Sequence, residues 1–232
     1  NTTASGNTGV GESALELTTT GCCNTAVGNG ALQANTTGDY NVSVGQGSLA
    51  FHTTGDNNTA IGGLAMFCNT TANNNTAVGF CALRGNTTGD NQVAIGRKAM
   101  AATTTGGNNT AVGLNALFSN TTGTLNVAVG TQTLESNTTA SCNTAVGYCS
   151  LINTTTGCRN TGLGANSLQS NTTGDQNVAV GRASLICNTT ADGNTAIGFD
   201  SLQANTTGAQ NVALGRNALF SNTTASFIFF FF

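Results

Sequence analysis

Residues 171–187 read NTTGDQNVAVGRASLIC, and the stretches that follow repeat this pattern without a gap. Residues 188–204 read NTTADGNTAIGFDSLQA, and residues 205–221 read NTTGAQNVALGRNALFS. The same 17-residue period extends back to the first residue, so that 1–221 is an array of thirteen copies. Residues 222–232 add a partial copy with an apolar tail. An unbroken period predicts one quasi-linear repeat architecture rather than separate globular domains.

Each copy carries a strand pattern. When copies are numbered from their Asn-Thr-Thr segment, the glycine found in every copy is position 11. In the thirteen full copies, position 8 is Thr or Val and position 10 is Val, Ile or Leu. These residues favour extended structure, whereas the recurring glycines oppose a helix. The pattern predicts a short strand at positions 7–10, a turn at position 11 and a second short strand near positions 13–16. One such circuit per copy is a coil of an all-β, parallel β-solenoid (a β-roll).

The apolar positions predict a core. Position 15 is always Leu or Met in the full copies, and positions 8 and 10 lie on one face of a strand. We expect positions 10 and 15 to point inward, and the small residue at position 9 to face a neighbouring chain. Because such a core is thin, we expect an oligomer, most simply of three chains. The predicted core ladder contains Val10, Val27, Val44, Val112, Leu117, Leu134, Leu185 and Leu219.

The polar positions predict a second ladder. Position 7 is Asn in twelve of the thirteen copies, with Gln92 as the exception. Equivalent residues on stacked coils lie about 4.8 Å apart, so identical amides can hydrogen-bond along the stack. The predicted Asn ladder contains Asn24, Asn41, Asn58, Asn75, Asn109, Asn126 and Asn143.

The Asn-Thr-Thr segment has two interpretations. Asn and Thr are common turn residues, and the same triplet is an acceptor sequence for N-glycosylation. Glycans on every copy would be crowded at about 4.8 Å spacing, so we expect a turn role with at most partial glycosylation. The candidate acceptors are Asn1, Asn35, Asn69, Asn86, Asn120, Asn137, Asn153, Asn171, Asn188, Asn205 and Asn222.

Composition excludes several classes of function. Charged residues make up 6% of the chain, the net charge is −3 and there is no basic block, which argues against nucleic acid as a partner. No apolar run is long enough for a membrane span. The chain starts in phase with the repeat and without Met, so we expect a mature product or a fragment of a longer array. The eight cysteines form no row and are interpreted as small apolar fillers at variable positions. Only Cys142 and Cys158 lie near one another on adjacent copies, so this is the one pair considered for a disulfide.

Candidate chemical groups are few. Asp39 with Asp56, and Asp175 with Asp192, stack at position 5 of adjacent copies, as solvated turn residues, a weak calcium contact or a catalytic carboxylate pair. His52 is the single histidine and occupies a slot usually held by Asn, where we expect a surface side chain. Catalysis needs a few unique polar residues in a shaped pocket, so we expect no enzyme, no cofactor and no metal site.

The strand motif resembles a known family. NVAVG at 177–181 and NTAIG at 194–198, each followed by xxSL, and QVAIG at 92–96 are similar to the YadA-like head repeats of trimeric autotransporter adhesins and to repeat arrays of phage and viral fibres. The resemblance implies a trimeric, left-handed β-roll and a role in a fibre or adhesin. This repeat is longer than that of the family, and its NTTG segment is its own.

The favoured function is structural: a rod segment of an extracellular or virion-surface fibre, filament or adhesin. Its expected partner is itself, as a homotrimer or an end-to-end fibre, and the apolar tail at 227–232 is interpreted as a cap or an assembly contact. The alternative is a surface-binding module that uses the regular Asn/Thr face to recognise glycans or ice.

Overall fold

The computed structural model describes residues 3–231, and in this range the chain is all-β with no helix. Fourteen three-residue strands recur at positions 8–10 of successive copies, which confirms the predicted strand and the parallel β-solenoid. Strands β1–β14 are Thr8–Val10, Thr25–Val27, Val42–Val44, Thr59–Ile61, Thr76–Val78, Val93–Ile95, Thr110–Val112, Val127–Val129, Thr144–Val146, Thr161–Leu163, Val178–Val180, Thr195–Ile197, Val212–Leu214 and Phe229–Phe231.

The chain divides into two compact units. The first contains 3–115 and 119–122 with β1–β7, and the second contains 116–118 and 123–231 with β8–β14. Within each unit, a strand pairs in parallel with the strands of the neighbouring copies, and equivalent positions lie opposite each other. Thr25 is thus opposite Val42 in the first unit, and the 17-residue period appears directly as sheet register.

The strand turns position 9, not position 10, toward the core. Ala26 and Ala145 have no exposed surface, whereas Val10 is 58% and Val27 is 37% exposed. The prediction that position 10 is core and position 9 faces a second chain was therefore wrong. The reason is space: the strand lies so close to the following turn that Ser43 Oγ at position 9 donates to Ser48 O at position 14, over 2.8 Å. Only a small side chain fits between them.

The predicted core ladder is therefore correct for position 15 and wrong for position 10. Position 15 is buried, as predicted, while the position-10 members lie at the surface. The fully buried members are Leu117, Leu134 and Leu185. The partly exposed or exposed members are Val10, Val27, Val44, Val112 and Leu219. Position 14, mostly Ala or Ser, completes the apolar interior together with position 9.

The predicted second strand near positions 13–16 does not form. Positions 13 and 15 both have positive φ, as at Asn115 (53°) and Leu117 (54°), which is the left-handed region and not an extended backbone. These turns still stack through hydrogen bonds in both directions. Leu32 N at position 15 donates to Ser48 O of the following copy at 3.1 Å, and Gly30 N at position 13 donates to Glu12 O of the preceding copy at 2.9 Å.

The glycine at position 11 makes the predicted turn possible. Gly28 has φ of 134°, and a Cβ built there would lie 2.7 Å from the carbonyl carbon of Gly45 in the next copy. Both the backbone conformation and the close approach therefore require glycine.

The position-7 Asn side chains form a buried row, but most of their hydrogen bonds join an amide to the backbone of the following copy and not amide to amide. In the first unit, the position-7 amide of Asn24 accepts a bond from Asn41 N at 2.8 Å and donates from Nδ2 to Gly38 O at 2.7 Å. Every member of the predicted set is buried. The longer Gln92 disturbs the row, because its Nε2 bonds Asn86 Oδ1 at 3.1 Å and the buried Nδ2 of Asn75 has no partner among the described residues.

Two substitutions at adjacent positions test which strand side chain is inside. Ala145→Gln is expected to destabilise the fold by about 1–3 kcal/mol, because it overpacks a closed position. Val146→Gln is expected to change the stability of the dissociated chain by less than about 0.5 kcal/mol, as at exposed sites. Urea unfolding measures both, with the association state of each variant checked by sedimentation. A larger loss at Val146 would mean that the strand is turned the other way.

Deletion of a whole copy tests the stacking register. Removal of 171–187 is expected to leave a folded chain, because every ladder re-forms across the junction between equivalent residues. Removal of only 171–178 is expected to unfold the neighbouring coils, because strands would then face turns. Circular dichroism melting curves compare the two deletions, and equal damage from both would contradict a 17-residue solenoid.

Candidate functional site

The main surface feature is an aliphatic row. Positions 8 and 10 point outward on the face of the sheet opposite position 9, and we call this surface the strand face. It repeats along each unit with the coil spacing of about 4.8 Å. The most exposed aliphatic members at position 10 are Val10, Val27, Ile61, Ile95, Val146, Leu163, Ile197 and Leu214.

Two rows of different charge border the strand face. Position 5, before the strand, carries five of the nine acidic residues and no Lys or Arg; we call it the acidic row. Position 12, after the strand, carries three of the five arginines and one acid, Glu12; we call it the arginine ridge. The acidic row contains Asp39, Asp56, Asp90, Asp175 and Asp192, and the arginine ridge contains Arg97, Arg182 and Arg216.

Two members of the arginine ridge contact one aromatic ring. The Cζ atoms of Arg182 and Arg216 lie 5.2 and 5.5 Å from the ring centre of Phe199, which occupies the copy between them. Both guanidinium groups are within the range of cation–π attraction. All three side chains are exposed, so the second unit presents a positively charged and aromatic surface here.

The carboxylates of the acidic row have a structural task. Asp56 Oδ1 accepts a hydrogen bond from Asp39 N at 2.8 Å, and Asp192 Oδ1 accepts one from Asp175 N at 2.7 Å. Each thus caps a backbone N–H of the preceding copy. Among residues 3–231, no group of three or more His, Cys, Asp or Glu side chains is placed to hold a metal ion.

Burial separates the candidate glycosylation sites. Asn1 lies outside the described residues, and Asn222 is half-buried. Asn153, which is one residue out of phase, is exposed. The remaining eight are fully buried, and their carboxamides bond within the fold, as Asn171 Nδ2 does to Gly174 O at 3.0 Å. A glycan on these eight is incompatible with the fold, and they are Asn35, Asn69, Asn86, Asn120, Asn137, Asn171, Asn188 and Asn205.

The regular Asn/Thr face expected for glycan or ice binding is mostly absent from the surface. Both Asn rows, at positions 1 and 7, are interior. The position-2 threonines are largely half-buried, and Thr36 Oγ1, for example, donates to Thr53 O at 3.0 Å. Only the position-3 threonines form an exposed row.

The cysteines are free thiols, Cys142 and Cys158 included. The disulfide considered for this pair is therefore not present. Cys158 Sγ instead accepts a hydrogen bond from Ser141 N at 3.4 Å, in the manner of the position-5 carboxylates.

His52 is an interior residue, so its expected surface location was wrong. It replaces a buried Asn of position 1 and has no exposed surface. Its Nε2 lies 2.7 Å from Gly55 O; since a carbonyl can only accept, Nε2 carries the proton. The buried Nδ1 has no hydrogen-bond partner among the described residues. Burial holds the pKa of His52 below its usual range.

Comparison with known proteins identifies no relative: no family model, no curated protein and no solved structure matches the chain. Within residues 3–231 there is also no helix with the length and apolar character of a transmembrane segment.

Sequence reasoning missed the strand face and its charged borders. The signal was present in the uneven charges at positions 5 and 12, and in the restriction of position 9 to Gly, Ala or Ser in the full copies. The small residue at position 9 was interpreted as a contact with a neighbouring chain, but it reflects the narrow interior of the coil.

His52 predicts a pH-dependent stability. Because the folded pKa is lowered, the unfolded chain binds a proton first as the pH falls below about 6.5. The free energy of unfolding is therefore expected to decrease from pH 7 downward until the folded pKa is reached. His52→Asn, which restores the usual residue, is expected to abolish this decrease. Urea midpoints between pH 7.5 and 5.5 measure it, and equal slopes in parent and variant would contradict the buried neutral imidazole.

Proposed function

We propose that this chain is a structural repeat protein, a rod segment of an extracellular or virion-surface fibre or adhesin, that works by self-association. The observation that carries the proposal is the use of most interior polar groups within the stack. Backbone N–H groups, Asn amides, Thr hydroxyls and Asp carboxylates bond groups of the adjacent copies. Such a chain gains stability and length together, as a spacer requires.

Two further features support a structural role. The surface consists of repeated rows, whereas a catalytic site needs unique residues in a shaped pocket. The resemblance of the NVAVG and NTAIG motifs to YadA-like head repeats points to the same class of extended surface fibres. The strand face offers the apolar row through which such chains associate.

The proposal predicts a self-associating particle. The parent chain is expected to sediment as an oligomer at micromolar concentration, with a native mass that is an integral multiple of 23.1 kDa. Negative-stain electron microscopy is expected to show elongated particles of uniform width. A chain that remains monomeric up to high micromolar concentration, or that forms compact particles, would contradict the proposed fibre role.

A further inference from the structure

The strand face carries an unbroken row of aliphatic side chains at position 10 in each unit, and its occupant can be inferred from its borders. Single exposed aliphatic residues are ordinary, but a contiguous row is typical of an interaction surface. We infer that the strand face binds a second copy of this chain, parallel and in register, with the acidic row of one copy against the arginine ridge of the other. This inference rests on the self-association proposed above, and adds its surface, direction and register.

Symmetry relates the charge pattern to the direction of the partner. The acidic row lies before the strand and the arginine ridge after it, at opposite ends of each coil's strand segment. If the two copies are related by a rotation axis parallel to the stack, the acidic row of one copy lies against the arginine ridge of the other. An axis along the strands places each row against itself, acid facing acid and arginine facing arginine. Since like charges across an interface are unfavourable, the pattern selects parallel copies.

The charges also select the register. Aliphatic side chains recur in every copy, so the apolar row fits equally well after a shift of one coil. In register, Asp90 lies across from Arg97 in the first unit, and Asp175 lies across from Arg182 in the second. A shift of one coil in either direction loses both pairs and leaves a single opposite-charge contact, made by Asp192.

The charged groups are held in place before any partner arrives. Arg182 rests against the Phe199 ring at 5.2 Å, and Asp175 is fixed through its Oδ1, which accepts the Cys158 N–H at 2.6 Å. Side chains that are already ordered lose less conformational entropy on binding. The rows therefore favour association more than freely rotating surface charges do.

The available area matches a contact that grows with repeat number. Three residues of extended chain at about 3.3 Å each, with a coil spacing of about 4.8 Å, give roughly 50 Å² per coil. A unit of six or seven coils therefore offers about 300 Å² per partner, compared with roughly 800 Å² per partner in a standard stable interface. Each additional copy in the array extends the same contact.

A charge exchange tests the arrangement in the full chain. Arg182→Glu places Glu opposite Asp175 and is expected to raise the dissociation constant about tenfold or more at low salt, with a smaller effect at high salt. Asp175→Lys combined with Arg182→Glu restores opposite charges and is expected to recover the parent affinity. Position 5 accepts residues that lack a carboxylate, since Gly107 and Ala209 occupy it in other copies. Sedimentation equilibrium provides the constants, and circular dichroism verifies folding.

Arg84→Glu is the matched control, because it makes the same charge change at exposed position 16, outside the strand face. It is expected to leave association unchanged. Equal weakening by Arg84→Glu and Arg182→Glu, or a folded double variant that stays dissociated, would overturn the parallel, in-register contact while self-association stands. Val180→Lys, on the strand face, is expected to dissociate the copies, and an intact oligomer in this variant would overturn the surface itself. A monomeric parent would instead refute the proposed function.

Discussion

The structure depends on one side-chain amide, the Asn at position 7. Its Oδ1 accepts the backbone N–H of the equivalent residue in the following copy, and its Nδ2 donates to the position-4 carbonyl of that copy. The amide thus replaces backbone partners at the point where the chain leaves the turn and enters the strand. Buried polar groups are costly when unpaired, and the row solves this with a single residue type. Gln92 shows the constraint by exception, since one extra methylene leaves Asn75 Nδ2 without a partner.

The hydrogen bonds of the amide row offset the energetic cost of an unusual backbone conformation. Most coils place non-glycine residues in the left-handed region at positions 6 and 13, and every full copy does so at position 15 with a core Leu or Met, as at Leu134 with φ of 49°. Such residues cost about 1–2 kcal/mol each relative to right-handed conformations. They turn the N–H group of position 13 toward the preceding copy and that of position 15 toward the following copy. The strain therefore accompanies hydrogen bonding to both neighbouring copies, and the coil closes in only 17 residues.

The sequence alone predicted the features that repeat with invariant chemistry. The period, the strand at 8–10, the glycine turn, the buried Leu of position 15 and the Asn ladder all follow from residue type and spacing. It did not predict which strand face is inside, because Val, Ile and Leu at position 10 have the composition of a core. What decides the orientation is the width of the coil, which a pattern of residue types does not contain. The expected strand at 13–16 failed for a related reason: Leu117 at positive φ contradicts its own backbone preference, and only the stacked neighbours stabilise it.

The charged rows that border the strand face differ from the core positions, because their residue types are not repeated in every copy. The residue types at positions 5 and 12 vary from copy to copy, so their charges are not fixed by the repeat and can carry information about partners, although the Asp residues of position 5 also cap backbone N–H groups. Their residues were visible in the sequence, but their meaning depends on knowing that positions 8 and 10 face outward between them.

The orientation of the ladders has a mechanical consequence. Hydrogen bonds between copies run along the stack of each unit, so a force that pulls the chain away from one end loads the bonds of a single coil at a time. Resistance is then set by the weakest terminal coil and not by the number of coils behind it. Each coil that yields frees 17 residues, about 55–60 Å of extended chain, before the next identical coil bears the load. A chain under tension would thus lengthen in equal steps and dissipate work at each step, rather than resist as a rigid rod until it fails.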